Sequence, residues 1–204
     1  MELTAIAIPA ELKDLTLPAP EEVTYWGLQQ KRVYWIDYEI DEDYSLIELA
    51  KEIVRINLED KDIEEPEPIT LFIHSYGGDL RQAVFFCDLI ESSRVPVITV
   101  ATGAAMSAGL LIFLAGKRRY AFKHTKLMMH QGSAAFNGNY EEMDAAQKSY
   151  KKDVDAMRDY ILEHTNIEPK TFSKNRSKDW YLVGEELIKY GVADKIVKSF
   201  SEIK

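Results

Sequence analysis

Ile69-Thr-Leu-Phe-Ile-His-Ser-Tyr-Gly-Gly78 is the stretch on which the fold turns. Residues 69–74 are apolar enough for a strand buried on both faces, and such strands belong to parallel sheets. The Gly pair ends it. Downstream, Leu80, Ala83, Val84, Cys87 and Ile90 fall on one face of a helix, and Val95-Pro-Val-Ile-Thr-Val-Ala101 is another buried strand. Strand, helix and strand in this order predict parallel sheet with right-handed crossovers, and therefore an α/β fold. Upstream, Val33-Tyr-Trp-Ile-Asp-Tyr38 reads as a strand, and Leu46, Leu49, Ala50, Ile53, Val54 and Asn57 set a helix over residues 43–57. The acidic, Pro-broken stretch 59–68 between them is a solvated loop.

Working outward, the chain has 204 residues, 25 basic against 34 acidic, a net charge of −9 and one cysteine. That length predicts one domain with a sizeable core. A lone Cys87 excludes an intramolecular disulfide framework and a Cys-based zinc site, and fits a reducing, cytoplasmic setting. Neither metal nor cofactor is expected. The excess of acid argues against general nucleic-acid binding. Met1–Ala10 has no basic segment of the kind that opens a secretory signal, and no window is long and apolar enough to span a membrane. Pro9, Pro18 and Pro20 punctuate residues 1–30, which show no sustained period and read as an extended N-terminal arm ahead of a domain over 31–204.

Beyond Gly103 comes a small-residue run, Ala104-Ala-Met-Ser-Ala-Gly109, then apolar Leu110–Leu114. Short strands fit Arg119–Phe122 and Lys126–His130. The longest helix spans about 140–165, with Asn139 as its cap and Glu142 at the capping-box position. Its larger side chains recur at 140, 143, 147, 150, 154, 157, 161 and 164, a seam that needs a partner surface from this subunit or another. The tail reads as strand 179–183, helix 185–190 closed by Gly191, and strand 192–197.

Ser107 stands between a buried strand and the first turn of a helix, where free backbone N–H groups and the helix dipole could bind an oxyanion. The same position also suits a plain helix cap. It is not a Gly-x-Ser-x-Gly elbow, because residue 105 is Ala. Gly77-Gly78 lies at the carboxyl end of a parallel strand, where ligands bind in open α/β sheets, but it carries no phosphate-loop pattern. Among the histidines, His164 fits the packed face of the long helix and His124 a surface turn. His74 precedes the Gly loop, and His130 ends an apolar strand at a cleft-facing position. A serine nucleophile needs one of them as base and a carboxylate to orient it, and spacing alone does not choose that carboxylate.

Four motifs then resemble one family in order. Gly103-Ala-Ala-Met-Ser107-Ala-Gly109, running on to Ala115-Gly116, is similar to the nucleophile segment of the ClpP proteolytic subunits, Gly-Gln-Ala-Ala-Ser-Met-Gly. Ile73-His-Ser-Tyr-Gly-Gly78 resembles their Ile-Asn-Ser-Pro-Gly-Gly, and Met129-His130-Gln131 their Ile-His-Gln-Pro. Asp179-Trp-Tyr-Leu-Val-Gly-Glu-Glu, running on to Tyr190-Gly-Val-Ala-Asp194, is similar to Asp-x-Phe-Met-Ser-Ala-Glu-Glu and the Tyr-Gly-Leu-Ile-Asp that follows it. Departures include Ala104 for Gln, Ala108 for Met, and Tyr76 and Gly132 for Pro, as in the divergent, phage-like branch. The resemblance implies a spiral of parallel strands and helices shared by ClpP and the crotonases, with a long handle helix over about 139–165. It implies Ser107 as nucleophile, His130 as base, Asp179 as orienting carboxylate, and the N–H groups of Gly78 and Ala108 as oxyanion donors. Substrate would lie as an added strand along Asp79, Leu80, Gln131, Gly132 and Ser133. It further implies a self-compartmentalising serine endopeptidase of two stacked seven-membered rings, acting on unfolded polypeptides supplied by an AAA+ unfoldase of the ClpX, ClpA or ClpC type. A catalytically silent ring subunit of the same fold is the alternative, and a crotonase-type acyl-CoA enzyme a more remote one.

Overall fold

In the computed structural model the described residues are 18–41 and 45–204. They fall into two compact units, one ending at Lys31 and one beginning at Arg32. In the first, α1 (Pro20–Gln29) corrects the reading of residues 1–30 as an extended arm without helical period. Pro20 is preset for a first helical turn, and the Glu22 carboxylate accepts the Ala19 N–H at 2.8 Å, so local chemistry starts a helix that has no apolar period. The rest of the arm, residues 1–17, and the start of the 43–57 helix lie outside the described residues.

The second unit is a seven-stranded sheet with helices, the α/β architecture expected. Strands β1 (Val33–Ile36), β2 (Ile69–Ser75), β3 (Val97–Met106), β4 (Arg118–Phe122) and β7 (Lys195–Val197) are neighbours in that order and all parallel. Helices α2 (Ser45–Glu59), α3 (Leu80–Ser92) and α4 (Ala108–Leu114) make the crossovers. Alternation along the strands serves two buried layers. Leu71, Ile73, Val97, Ala101 and Ala105 join the main core with the helices, whereas Phe72, Ile98, Val100, Tyr120 and Val197 form a smaller cluster. All of α4 is buried, which is why its sequence shows no amphipathic period.

Three details depart from the sequence reading. On α3 the buried positions are Ala83, Phe86, Cys87 and Ile90, while Val84 is exposed, so the apolar stripe is rotated from the one expected. Strand β3 runs on through the small-residue segment to Met106 instead of ending near Ala101. Helix α6 (Pro169–Asn175), bringing Phe172 into the core, is too short for its period to be read. Helix α5 (Tyr140–Glu163) begins with the expected capping box, each of Asn139 and Glu142 taking the other's N–H. At about 1.5 Å per residue it is about 36 Å long. Val154, Met157 and Ile161 of its seam pack inward, and Tyr140 and Met143 near its start are exposed.

Candidate active site

Strand β3 changes partner midway, and that change builds the site. Residues 98–101 pair with β4, whereas 104–106 pair with β5 (Lys126–Met129). The second half therefore leaves the main sheet order and delivers Ser107 to the carboxyl ends of β3 and β5. Ser107 takes φ 52 and ψ −121, a conformation that costs a non-glycine residue about 1–3 kcal/mol. It is held there from both sides: its N–H donates to the Met128 carbonyl at 2.9 Å, and its carbonyl accepts from the Leu110 N–H at 3.0 Å at the start of buried α4. Room for this strained turn comes from a distant glycine. A Cβ on Gly77, itself at φ +107, would lie 2.7 Å from both the Met106 carbonyl oxygen and Ser107 Cβ. The strand–turn–helix elbow thus forms without glycine at 105, a substitution of tertiary for local relief that no sequence signature records.

His130 follows β5 directly, with Nε2 2.8 Å from Ser107 Oγ. Strand β6 (Trp180–Val183) pairs antiparallel with β5, the single antiparallel pairing among the described strands, and opposes Trp180 to Met129. That register sets Asp179 across from His130, and its Oδ1 lies 3.3 Å from His130 Nδ1. The pairing selects one carboxylate where spacing could not. Asp179 is 53% exposed, and its other oxygen is 3.4 Å from the Tyr181 hydroxyl, a group the resembling pattern, with Phe there, lacks.

A groove of about 640 Å³ runs past this set. Gly78, Ser107, Ala108 and His130 line it, with Asp79 and Leu80 on one side and Gln131, Gly132 and Ser133 on another, so the expected site residues other than Asp179 share one cavity. Ala108 opens α4, so its N–H has no intrahelical acceptor. Ile40 bonds the Gly77 carbonyl and the Asp79 N–H on either side of Gly78, leaving the Gly78 N–H between them unengaged by it. The Asp79 side chain is committed to capping α3, accepting the Gln82 N–H at 2.9 Å. Sequence reasoning missed the wall supplied by α5, where Tyr150, Asp153 and Met157 face the groove; two of these three sit on the seam it read as packing.

The other histidines stand apart. His74 lines a separate recess with Asp37 and Glu39, its Nδ1 2.8 Å from the Thr102 carbonyl oxygen. His124 lies in an exposed turn. His164 ends α5, with Nε2 3.1 Å from a Glu91 carboxylate oxygen, and so ties that helix to α3. Cys87 is buried on α3, and burial pushes its thiol up to about 12, which suits packing and not nucleophilic chemistry.

Residues 23–200 match the family model described as Clp protease. The chain is 30% identical over 144 residues, 69% of its own length and 71% of the relative's, to an ATP-dependent Clp protease proteolytic subunit of Deinococcus radiodurans. It is 24% identical over 176 residues to one of Dehalococcoides mccartyi, covering 85% and 86% of the two chains. A proteolytic subunit 2 of Treponema denticola is 29% identical over 158 residues, or 76% and 79%. No helix among the described residues is long and apolar enough to cross a membrane.

Proposed function

Because the chain belongs to the Clp protease family, we propose that it is a serine endopeptidase in which Ser107, His130 and Asp179 act together on unfolded polypeptides and short peptides. The observation that carries this is the continuous contact from Asp179 Oδ1 through the His130 ring to Ser107 Oγ, at 3.3 and 2.8 Å. Asp179 accepts a hydrogen bond from Nδ1–H, which stays on the ring, and so fixes the tautomer in which Nε2 accepts from the serine hydroxyl. Ser107 attacks the peptide carbonyl carbon, its proton passes to Nε2, and the oxyanion is received by the N–H groups of Gly78 and Ala108. Collapse breaks the C–N bond, and His130 returns the proton to the leaving amine. Water, deprotonated in turn by His130, releases the acyl group and restores the serine.

Substrate enters as an extended strand. Residues 130–137 carry no regular structure, and apart from the Gln131 carbonyl, which accepts a hydrogen bond from the Tyr150 hydroxyl at 3.4 Å, their main chain is where a peptide would pair, opposite Asp79 and Leu80. Self-assembly supplies selectivity: the start of α5 projects Tyr140 and Met143 outward, a seam suited to another copy in two stacked rings of seven. The relatives are named ATP-dependent, and Gly77-Gly78 is no nucleotide loop, so ATP use falls to a partner AAA+ unfoldase. A cytoplasmic setting follows from the same reading.

A fluorophosphonate probe is expected to label Ser107, and Ser107→Ala to abolish peptide cleavage while native mass spectrometry still shows the ring. Cleavage by that variant overturns the mechanism. An unlabelled, inactive wild-type ring is the outcome expected of a silent subunit.

A further inference from the structure

On α5, Ala146, Ser149, Tyr150, Asp153 and Met157 follow helical spacing and line the groove beside Ser107. Asp153 is half-buried there, and its neighbours one turn away, Ser149, Tyr150, Ala156 and Met157, include no cation. Other aspartates of this helix are paired: Asp144 with Lys148, Asp155 with Lys151 and Arg158, and Asp159 with Arg158. Asp153 has no hydrogen bond or ion pair among the described residues. A carboxylate that has lost part of its hydration beside Met157, Tyr150 and the Phe136 ring packed edge-on to Tyr150 at 5.8 Å is poised for a cation. The remaining charges at the groove do not meet this need. Asp79 is occupied as a cap, Arg81 is exposed on the α3 side, and His130 is engaged with Ser107 and Asp179.

We propose that Asp153 forms a substrate subsite that selects a lysine or arginine side chain flanking the scissile bond. The aliphatic stem lies against Met157 and the Tyr150–Phe136 pair, and the charged head reaches the carboxylate, the division these side chains favour at apolar walls. This deepens the peptidase reading and rests on it.

The test uses the assembled full-length protein and fluorogenic peptides identical except for lysine, norleucine or glutamate at each position flanking the cleaved bond. Norleucine keeps the stem and removes the charge. At one of these positions kcat/KM for lysine should exceed that for norleucine by about tenfold, the scale of a charge-assisted hydrogen bond. In Asp153→Asn the ratio should fall to about one, and in Asp153→Lys the preference should pass to glutamate. An unchanged lysine-to-norleucine ratio in Asp153→Asn overturns the proposal, as does a wild-type protein without lysine preference at any position. Equilibrium binding of the same peptides to Ser107→Ala reads the subsite without turnover. A lysine preference in binding that Asp153→Asn removes, in a protein that cleaves nothing, upholds the subsite and discards the peptidase reading instead.

Discussion

On the β3–α4 side of the groove every residue from Ala108 to Leu114 is buried and Ser107 is locked at φ 52, whereas on the opposite side residues 131–140 are exposed throughout and Asp179 keeps 53% of its side chain in solvent. The first side stores strain against a packed core. The second holds the imidazole through the single longer contact from Asp179 at 3.3 Å, and its residues 131–137 carry no regular structure. Strain persists only where surroundings over-determine a conformation, so the proposed nucleophile sits on the rigid side. The groups proposed to receive a substrate strand sit on the permissive one.

The largest effect should come from the rigid side. Ser107→Ala is expected to lower kcat by about 10⁴-fold or more in a peptide assay, since removing a nucleophile disables a unit whose members do not add. Asp179→Asn should cost less, about 10²–10³-fold in kcat with KM little changed, because a half-exposed, longer contact orients His130 less stringently than a buried one. A loss as large as that of Ser107→Ala would break the comparison. Glycine substitutions sharpen it: Gly77→Ala drives a Cβ to 2.7 Å from the Ser107 turn, whereas at Gly132 the nearest atom is the Tyr150 hydroxyl at 3.1 Å. Both positions have positive φ. Gly77→Ala should therefore destabilise by about 2–4 kcal/mol and Gly132→Ala by about 1–2 kcal/mol, read as denaturant midpoints. Tyr181→Phe removes the 3.4 Å contact to Asp179 and should lower kcat only about two- to threefold, consistent with a weak, exposed hydrogen bond.

Neither side should respond to the last change. Asp60, buried after α2, receives two hydrogen bonds from the Arg32 guanidinium at 2.6 and 2.9 Å, which hold its carboxyl below the usual carboxylate range. Its depressed value contributes stability at pH above the unfolded carboxylate pKa of about 4, and that contribution is lost as pH falls through the folded value. Asp60→Asn should flatten the acid end of the stability profile and leave Ser107 labelling at neutral pH unchanged.

The residues of Ile69–Ser75 and Val97–Ala101 determined by themselves that this is a parallel α/β protein, because strands buried on both faces must be written in apolar residues. The Asn139–Glu142 box fixed the start of α5, since capping is a contact between residues three apart. Ser107, His130 and Asp179 were nameable from motifs, but motif order says nothing of why these three meet. That was decided by long-range pairing: β3 leaving β4 for β5 sets Ser107 beside His130, and the antiparallel β5–β6 register sets Asp179 opposite it. The elbow without its glycine and an Asp153 that has no partner among the described residues were also tertiary outcomes. A turn's crowding depends on Gly77 thirty residues away, and a carboxylate's lack of a partner depends on every neighbour that the fold brings or withholds.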